Sequence, residues 1–210
     1  MAAIMIPVDQ SESESIGTAV AMLRDATATV HERLHSHPVF LPIMGGQIDR
    51  AEYVDLLLAL YGFHSGFERV AADGRVRCRR LAEDLRFFDV EVGEMASTYC
   101  ATSAAAANEA ERWGIDYVLR GATLGGRVLA RKLDGLLGRG TLCGRRFLSY
   151  GGESSGAQWH SFIEQLERSL PKRGERLAAA AAAVTTFDEF EKWMTHTVAN
   201  RPIQAGVAYG

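Results

Sequence analysis

Tyr117-Val-Leu-Arg-Gly-Ala-Thr-Leu-Gly-Gly-Arg-Val-Leu129 places Gly121, Gly125 and Gly126 in the middle of a stretch that otherwise reads as one long helix, from about Glu109 to Leu137. Each glycine inside a helix costs roughly 1 kcal/mol against alanine. Three of them so close together demand a compensating use. Gly121 and Gly125 lie one turn apart on one face. Bare backbone there admits a flat body and leaves the helix free to bend. The same small-residue spacing also serves close packing of one helix on another.

Outward from this stretch the chain continues as helices and short loops. Ala, Leu, Glu and Arg abound and β-branched alternation is scarce. Toward the N-terminus the spacing predicts a helix from about Ile16 to Leu34, with Val20, Leu23, Thr27, Val30, His31 and Leu34 on one face. His35-Ser-His-Pro38 ends it, because proline restricts the residue before it. A second helix starts at the capping-box spacing Asp49-x-x-Glu52 and runs until Asp73-Gly74 stops it. A third covers Cys78 to Phe88, and Gly93 to Ala107 reads as a weaker helix. The glycine-rich stretch from Gly138 to Gly156 is a loop. Helices resume at about Ala157–Leu170 and Arg173–Val184, and a last one starts at the capping box Thr186-x-x-Glu189. The expected organisation is a polar arm over 1–15, one helical domain over 16–198 and a tail over 199–210.

Composition excludes several classes. Hydrophobic residues make up 47% of the 210-residue chain and charged residues 23%, as in ordinary globular domains. The formal charge of −3 gives no nucleic-acid footprint. The run Arg75, Arg77, Arg79, Arg80 is followed by Glu83 and Asp84 and reads as a solvated helix face. No apolar run approaches the ~20 residues that span a bilayer, and the N-terminus is not a signal peptide. Cys78, Cys100 and Cys143 are odd in number and widely spaced, so neither a disulfide framework nor a paired-cysteine metal site is expected. These readings point to the cytoplasm, with no membrane and no nucleic acid as partners.

Two constellations carry candidate chemistry. The glycine helix is one. The other is His31 with Arg24, seven residues apart and therefore on one face about 10.5 Å apart along the axis. A neutral imidazole ligates haem iron, and an arginine at that distance suits a propionate. Thr27 shares the face, and His35 lies one turn beyond His31. The alternative is a half-buried histidine beside a surface arginine. His31 and His35 also have zinc spacing, without an evident third ligand. His64 sits on an aromatic helix with Tyr61, Phe63 and Phe67 and reads as core or surface. Trp113, Trp159 and Trp193 read as packing anchors.

Taken in order, these blocks resemble the haem oxygenases. Leu23-Arg-Asp-Ala-Thr-Ala-Thr-Val-His31 is similar to the family's proximal segment, which ends in the iron-ligating histidine. Cys78-Arg-Arg-Leu-Ala-Glu-Asp-Leu-Arg-Phe-Phe88 is similar to its Leu-x-x-Asp-Leu helix. Tyr117–Leu129 resembles the distal helix, whose glycines lie over the haem face. Phe187-x-x-Phe-Glu191 resembles the last helix. The bacteriophytochrome-associated bacterial branch is nearest in character. The resemblance implies an all-α, single-domain fold with haem between a proximal and a kinked distal helix. It implies cleavage of haem b, both cofactor and substrate, to biliverdin with release of iron and CO. That reaction uses O2 and an external electron donor, a reductase or ferredoxin, and a phytochrome is a possible acceptor of the product.

The resemblance assigns His31 to the iron, Arg24 to a propionate, and Gly121, Gly125 and Gly126 to the distal face. Thr27, His35 and His160 are further candidates for haem binding, and Thr123 for the distal catalytic face. Two positions depart from the pattern. Ala122 stands where the family commonly has an Asp that orders water. The later helix reads Gln158-Trp-His-Ser-Phe-Ile-Glu164, where two basic residues often hold the propionates. The departures leave open a haem-binding relative with little turnover. A thiamin-related helical enzyme with a cysteine nucleophile is a further alternative.

Overall fold

A computed structural model of the chain describes residues 18–93, 105–150 and 155–199. Among the described residues all regular structure is helical. In order come α1 (Ala19–His35), a 3-10 turn (Pro38–Phe40), α2 (Leu41–Gly45), α3 (Arg50–Gly66) and α4 (Gly74–Phe87). Then follow α5 (Glu109–Lys132), α6 (Asp134–Leu137), α7 (Ser155–Ser169) and α8 (Arg173–Ala199). The expected arm over 1–15, Cys100, most of the Gly93–Ala107 segment and most of the tail lie outside the described residues. No described helix is long and apolar enough to cross a membrane.

Local chemistry sets the helix starts. Thr18 caps α1 through the Ala21 amide, and Asp49 and Glu52 form the reciprocal capping box of α3. α3 stops at Gly66, earlier than expected, and α4 begins already at Gly74. That glycine sits at a crowded turn, where a Cβ would fall 2.6 Å from the Glu68 carbonyl oxygen. α5 runs unbroken through Gly121, Gly125 and Gly126, with Asn108 capping its start. At the C-terminal end the expected break between two helices is absent. Thr186 does not cap a new helix; its hydroxyl donates to the Ala182 carbonyl from within the 27-residue α8.

α8 is the spine of the molecule, packing along α5 and α1. The alanine run at its start is what lets α5 approach. Ala179, Ala180 and Ala183 are buried, and a Cβ on Gly114 of α5 would fall 2.0 Å from the Ala179 carbonyl oxygen. Farther along, Arg33 of α1 pairs with Asp188 and Glu191 of α8 at 3.2 and 2.6 Å. One apolar cluster gathers α2, α3, α4, the end of α5 and Phe147–Leu148. A second gathers α1, α7, α8 and the start of α5. α1 and α5 meet where the Tyr117 hydroxyl bonds Thr27, and beyond that contact a cleft opens between the two clusters.

Candidate haem site

The cleft encloses about 120 Å³ and opens to solvent. α1 contributes His31, Leu34 and His35, and α8 contributes Phe187 and Phe190. Leu56, Leu60, Phe63 and His64 come from α3. α5 supplies Val118, Leu119, Gly121, Ala122, Thr123, Gly126 and Leu129. The lining is overwhelmingly apolar, so the few polar groups carry the chemistry.

His31 is half-buried. Burial, then the neighbouring His35, push its pKa below the ordinary histidine value, which favours the neutral imidazole a metal requires. Its Nδ1 lies 3.3 Å from Nε2 of His35, and the rings meet edge to face at 4.6 Å. With Nδ1 engaged, Nε2 of His31 is the nitrogen left for a ligand, and the contact with His35 fixes the orientation of the ring.

Toward α5 the polar groups are ones that sequence reasoning missed. Arg77, expected on a solvated face, is only 2% exposed and lines the cleft. Asp73 holds it through two hydrogen bonds at 2.9 and 3.1 Å. Its Nη2 also donates to the Thr123 hydroxyl at 3.1 Å. The i, i+4 spacing of Asp73 and Arg77 was the available signal, although it gives no hint of burial. Arg75 and Arg79 are indeed exposed. His64 is buried in the cleft wall, and its Nδ1 has no partner among the described residues. Burial, then the Arg77 charge, lower its pKa to about 3, so it stays neutral.

The last wall segment is tied down by Asp84 of the Leu-x-x-Asp-Leu block. This fully buried carboxylate accepts from the Arg146 and Phe147 amides at 2.7 and 2.8 Å. That fixes Phe147 and Leu148 over the cleft. Gly126 permits their approach, because a Cβ there would sit 3.0 Å from the Leu148 carbonyl oxygen.

Of the residues singled out in the sequence, the fold brings His31, His35, Gly121, Thr123 and Gly126 to this one cleft. Gly125 is buried without lining it. Arg24 is exposed on α1, and Thr27 is buried with its hydroxyl donating to the Leu23 carbonyl. His160 is exposed, with Nδ1 at 2.9 Å from the Gly156 carbonyl. None of these three lines the cleft. Cys78 is buried and Cys143 exposed, and neither borders it, so neither is placed to act there as a nucleophile.

The sequence model of the haem oxygenase family matches residues 18–196. The chain belongs to the haem oxygenase family. It is 31% identical over 156 residues to a haem oxygenase of Xanthomonas campestris, which covers 69% of this chain and 90% of that protein. Among solved structures it is similar to the NO- and CO-bound haem oxygenase of Neisseria meningitidis. The TM-score is 0.69 at 18% identity, over 93% of this chain and 98% of that one; at that identity the likeness speaks for the fold alone.

The cleft of this haem oxygenase family member fits its substrate on chemical grounds. An apolar slot open to solvent suits the flat, apolar body of a macrocycle. His31 offers a neutral nitrogen with its other side already hydrogen-bonded. Nδ1 of His64 on α3 is buried in the cleft wall without a partner among the described residues, whereas Arg77 and Thr123 are already paired. That one buried nitrogen is the group a ligand or water would satisfy.

Proposed function

We propose that this chain binds haem b in the cleft and opens its ring to biliverdin, releasing iron and CO, at the expense of O2 and externally supplied electrons. The observation that carries the reading is one apolar cleft bordered by a neutral, oriented His31 and by the glycine-bearing face of α5. Bound haem supplies the iron that activates dioxygen against the haem's own ring. His31 holds the iron through nitrogen rather than thiolate, which withholds the electron push that cleaves oxygen–oxygen bonds early. Gly121 keeps side chains off one turn of α5, so the haem face can approach the backbone.

Ala122 lines the cleft with a methyl group, which cannot orient water. Arg77, clamped by Asp73, and the Thr123 hydroxyl it holds are the polar groups that stand in for the family's aspartate, together with neutral His64. Such fixed donors serve a developing negative charge without reorganising. The same reading places the protein in the cytoplasm, with a reductase or ferredoxin as donor and a bacteriophytochrome as acceptor of biliverdin. Those finer assignments rest on the resemblance of the sequence blocks.

The test is a haem titration followed by a single turnover with ascorbate under air, with catalase present, read by absorption. The expected result is a one-to-one complex whose Soret band decays as a biliverdin band grows. A stable complex without biliverdin overturns the oxygenase reading in favour of a haem-binding relative. Absence of binding overturns both. In the folded His31→Ala protein the histidine-ligated spectrum should disappear; if it persists, the ligand is His35 or another group.

A further inference from the structure

Behind α5 lies a second cavity that the haem reading leaves without a use. It encloses about 230 Å³ between α4, α5, Tyr150 and α7. One water needs only roughly 10–15 Å³, so the space suits a small molecule. From α5 it takes Arg120 and Leu124, each two residues before a cleft residue, Ala122 or Gly126. Two residues turn a helix by about 200°, which puts the cavity and the cleft on opposite faces of α5. No described residue of α1 borders the cavity. Among the described residues only Arg77 and Thr123 border both spaces.

The cavity is short of negative charge. Its lining holds Arg77 and Arg120 against Asp73. Behind that lining stand Arg80, whose guanidinium lies 4.6 Å from the centre of the Tyr150 ring, and Asp116, which accepts from the Ala72 amide. Three guanidiniums against two carboxylates leave one positive charge in excess. Both oxygens of Asp73 are engaged by Arg77, at 2.9 and 3.1 Å. Arg120 and Arg80 make no ion pair among the described residues, and the Nε of each is buried without a hydrogen-bond partner.

Arg120 is nevertheless held in place, its guanidinium 5.0 Å from the centre of the Phe162 ring, a contact that orients a cation without neutralising it. The Tyr150 hydroxyl, the Gln158 amide and the Trp159 indole N–H, also in the lining, make no hydrogen bond among the described residues. All three can donate. Donors therefore outnumber acceptors around the cavity, and buried donors of this kind are met by an ion or by water.

We propose that this cavity binds a small oxyanion, a carboxylate or a phosphate, through Arg120 and Gln158, while haem occupies the cleft. The donor fork of arginine matches either kind of oxyanion. Arg77 is the wall between the two ligands: it lines the cavity, and its Nη2 donates to the Thr123 hydroxyl at the cleft. An anion that engages this wall biases the polar groups the cleft presents, and each ligand changes the other's affinity by the same factor. The anion site stands by itself; its coupling to the cleft rests on the haem reading.

The test titrates inorganic phosphate and, separately, benzoate into the full chain by calorimetry, in a zwitterionic buffer at low ionic strength. It is run on the haem-free and the haem-loaded protein. One-to-one binding of at least one ion is expected, and the ion that binds identifies the chemistry. Gln158 is exposed, so its substitutions perturb folding little. Gln158→Glu should weaken the binding about tenfold or more, and Gln158→Lys should strengthen it. Arg120→Gln should weaken it likewise, whereas Arg79→Gln, a change at an exposed charge on α4, should not. Haem loading should shift the anion affinity about fivefold without abolishing it. Binding of neither ion overturns the site. So does indifference to both Gln158 substitutions, or equal loss in Arg79→Gln and Arg120→Gln. Complete loss on haem loading overturns it too, because the cavity would then belong to the haem's own carboxylates. Equal affinity with and without haem overturns the coupling. A chain that binds the anion but takes up no haem strikes the haem reading instead, so the two failures are told apart.

Discussion

His64 shows how a single side chain is set by its surroundings. It is buried among Phe63, Phe147 and the Arg77 guanidinium, and its pKa falls to about 3. The unfolded chain titrates this histidine near its ordinary 6.5. Between those values the folded state binds fewer protons than the unfolded one, so stability contributed by neutral His64 is present above pH 6.5 and lost as pH falls. The loss is about 1.4 kcal/mol per pH unit. Asp84 works in the other direction, because burial pushes its pKa up to about 6 despite two amide donors. The informative quantity is therefore a difference between variants. Denaturant unfolding at pH 7 and at pH 5 should show a smaller acid loss in His64→Leu than in the unmodified chain, by roughly 2 kcal/mol. Parallel pH dependences would mean that His64 is not held neutral. Neither this histidine nor Arg77 was legible as a cleft residue in the sequence. Burial of a polar side chain depends on partners from other helices, and spacing along one helix does not report them.

Among the helices, the glycines turn out to serve different neighbours. Gly126 makes room for the Leu148 backbone and Gly114 for the Ala179 backbone, while Gly121 borders the cleft. Gly114→Ala should therefore push α5 off α8 and destabilise the protein by about 1–3 kcal/mol or more. Gly135→Ala in α6, with open space where its Cβ would go, should be neutral or mildly stabilising. Thermal unfolding of the two variants checks this, and a Gly114→Ala protein as stable as the parent would refute the close crossing. The alanine run of α8 was legible as a good helix former, but its service as the surface that Gly114 crosses was not. Likewise Thr186-x-x-Glu189 has capping-box letters, yet nothing breaks the helix before it. Thr186 bonds back to Ala182 instead, because the apolar stripe of α8 runs past it through Phe187 and Met194.

For the molecule as a whole, the cleft is a junction of five helices, lined from α1, α3, α4, α5 and α8. A ligand that fills it ties both apolar clusters together and binds only the folded chain. Haem should raise the unfolding midpoint with concentration, through a gain in unfolding free energy of about 2.7 kcal/mol at a hundredfold excess over Kd. The gain should shrink in His31→Ala at equal haem, and calorimetry of both proteins measures it; an equal gain would place the haem elsewhere. The sequence by itself determined the helical class, the α3 capping box, the histidine in the first helix and the unusual glycines of the long one. All of these are local: they follow from propensity, from spacing at 3.6 residues per turn and from capping chemistry within four residues. Only the tertiary structure decided that His35 braces His31, that Asp84 pins Phe147 over the cleft, that Arg77 and His64 enter it, and that Arg24 and His160 stay outside. Each of those depends on groups distant in the chain, and burial of a charge or a bare backbone contact is settled by what packs against it.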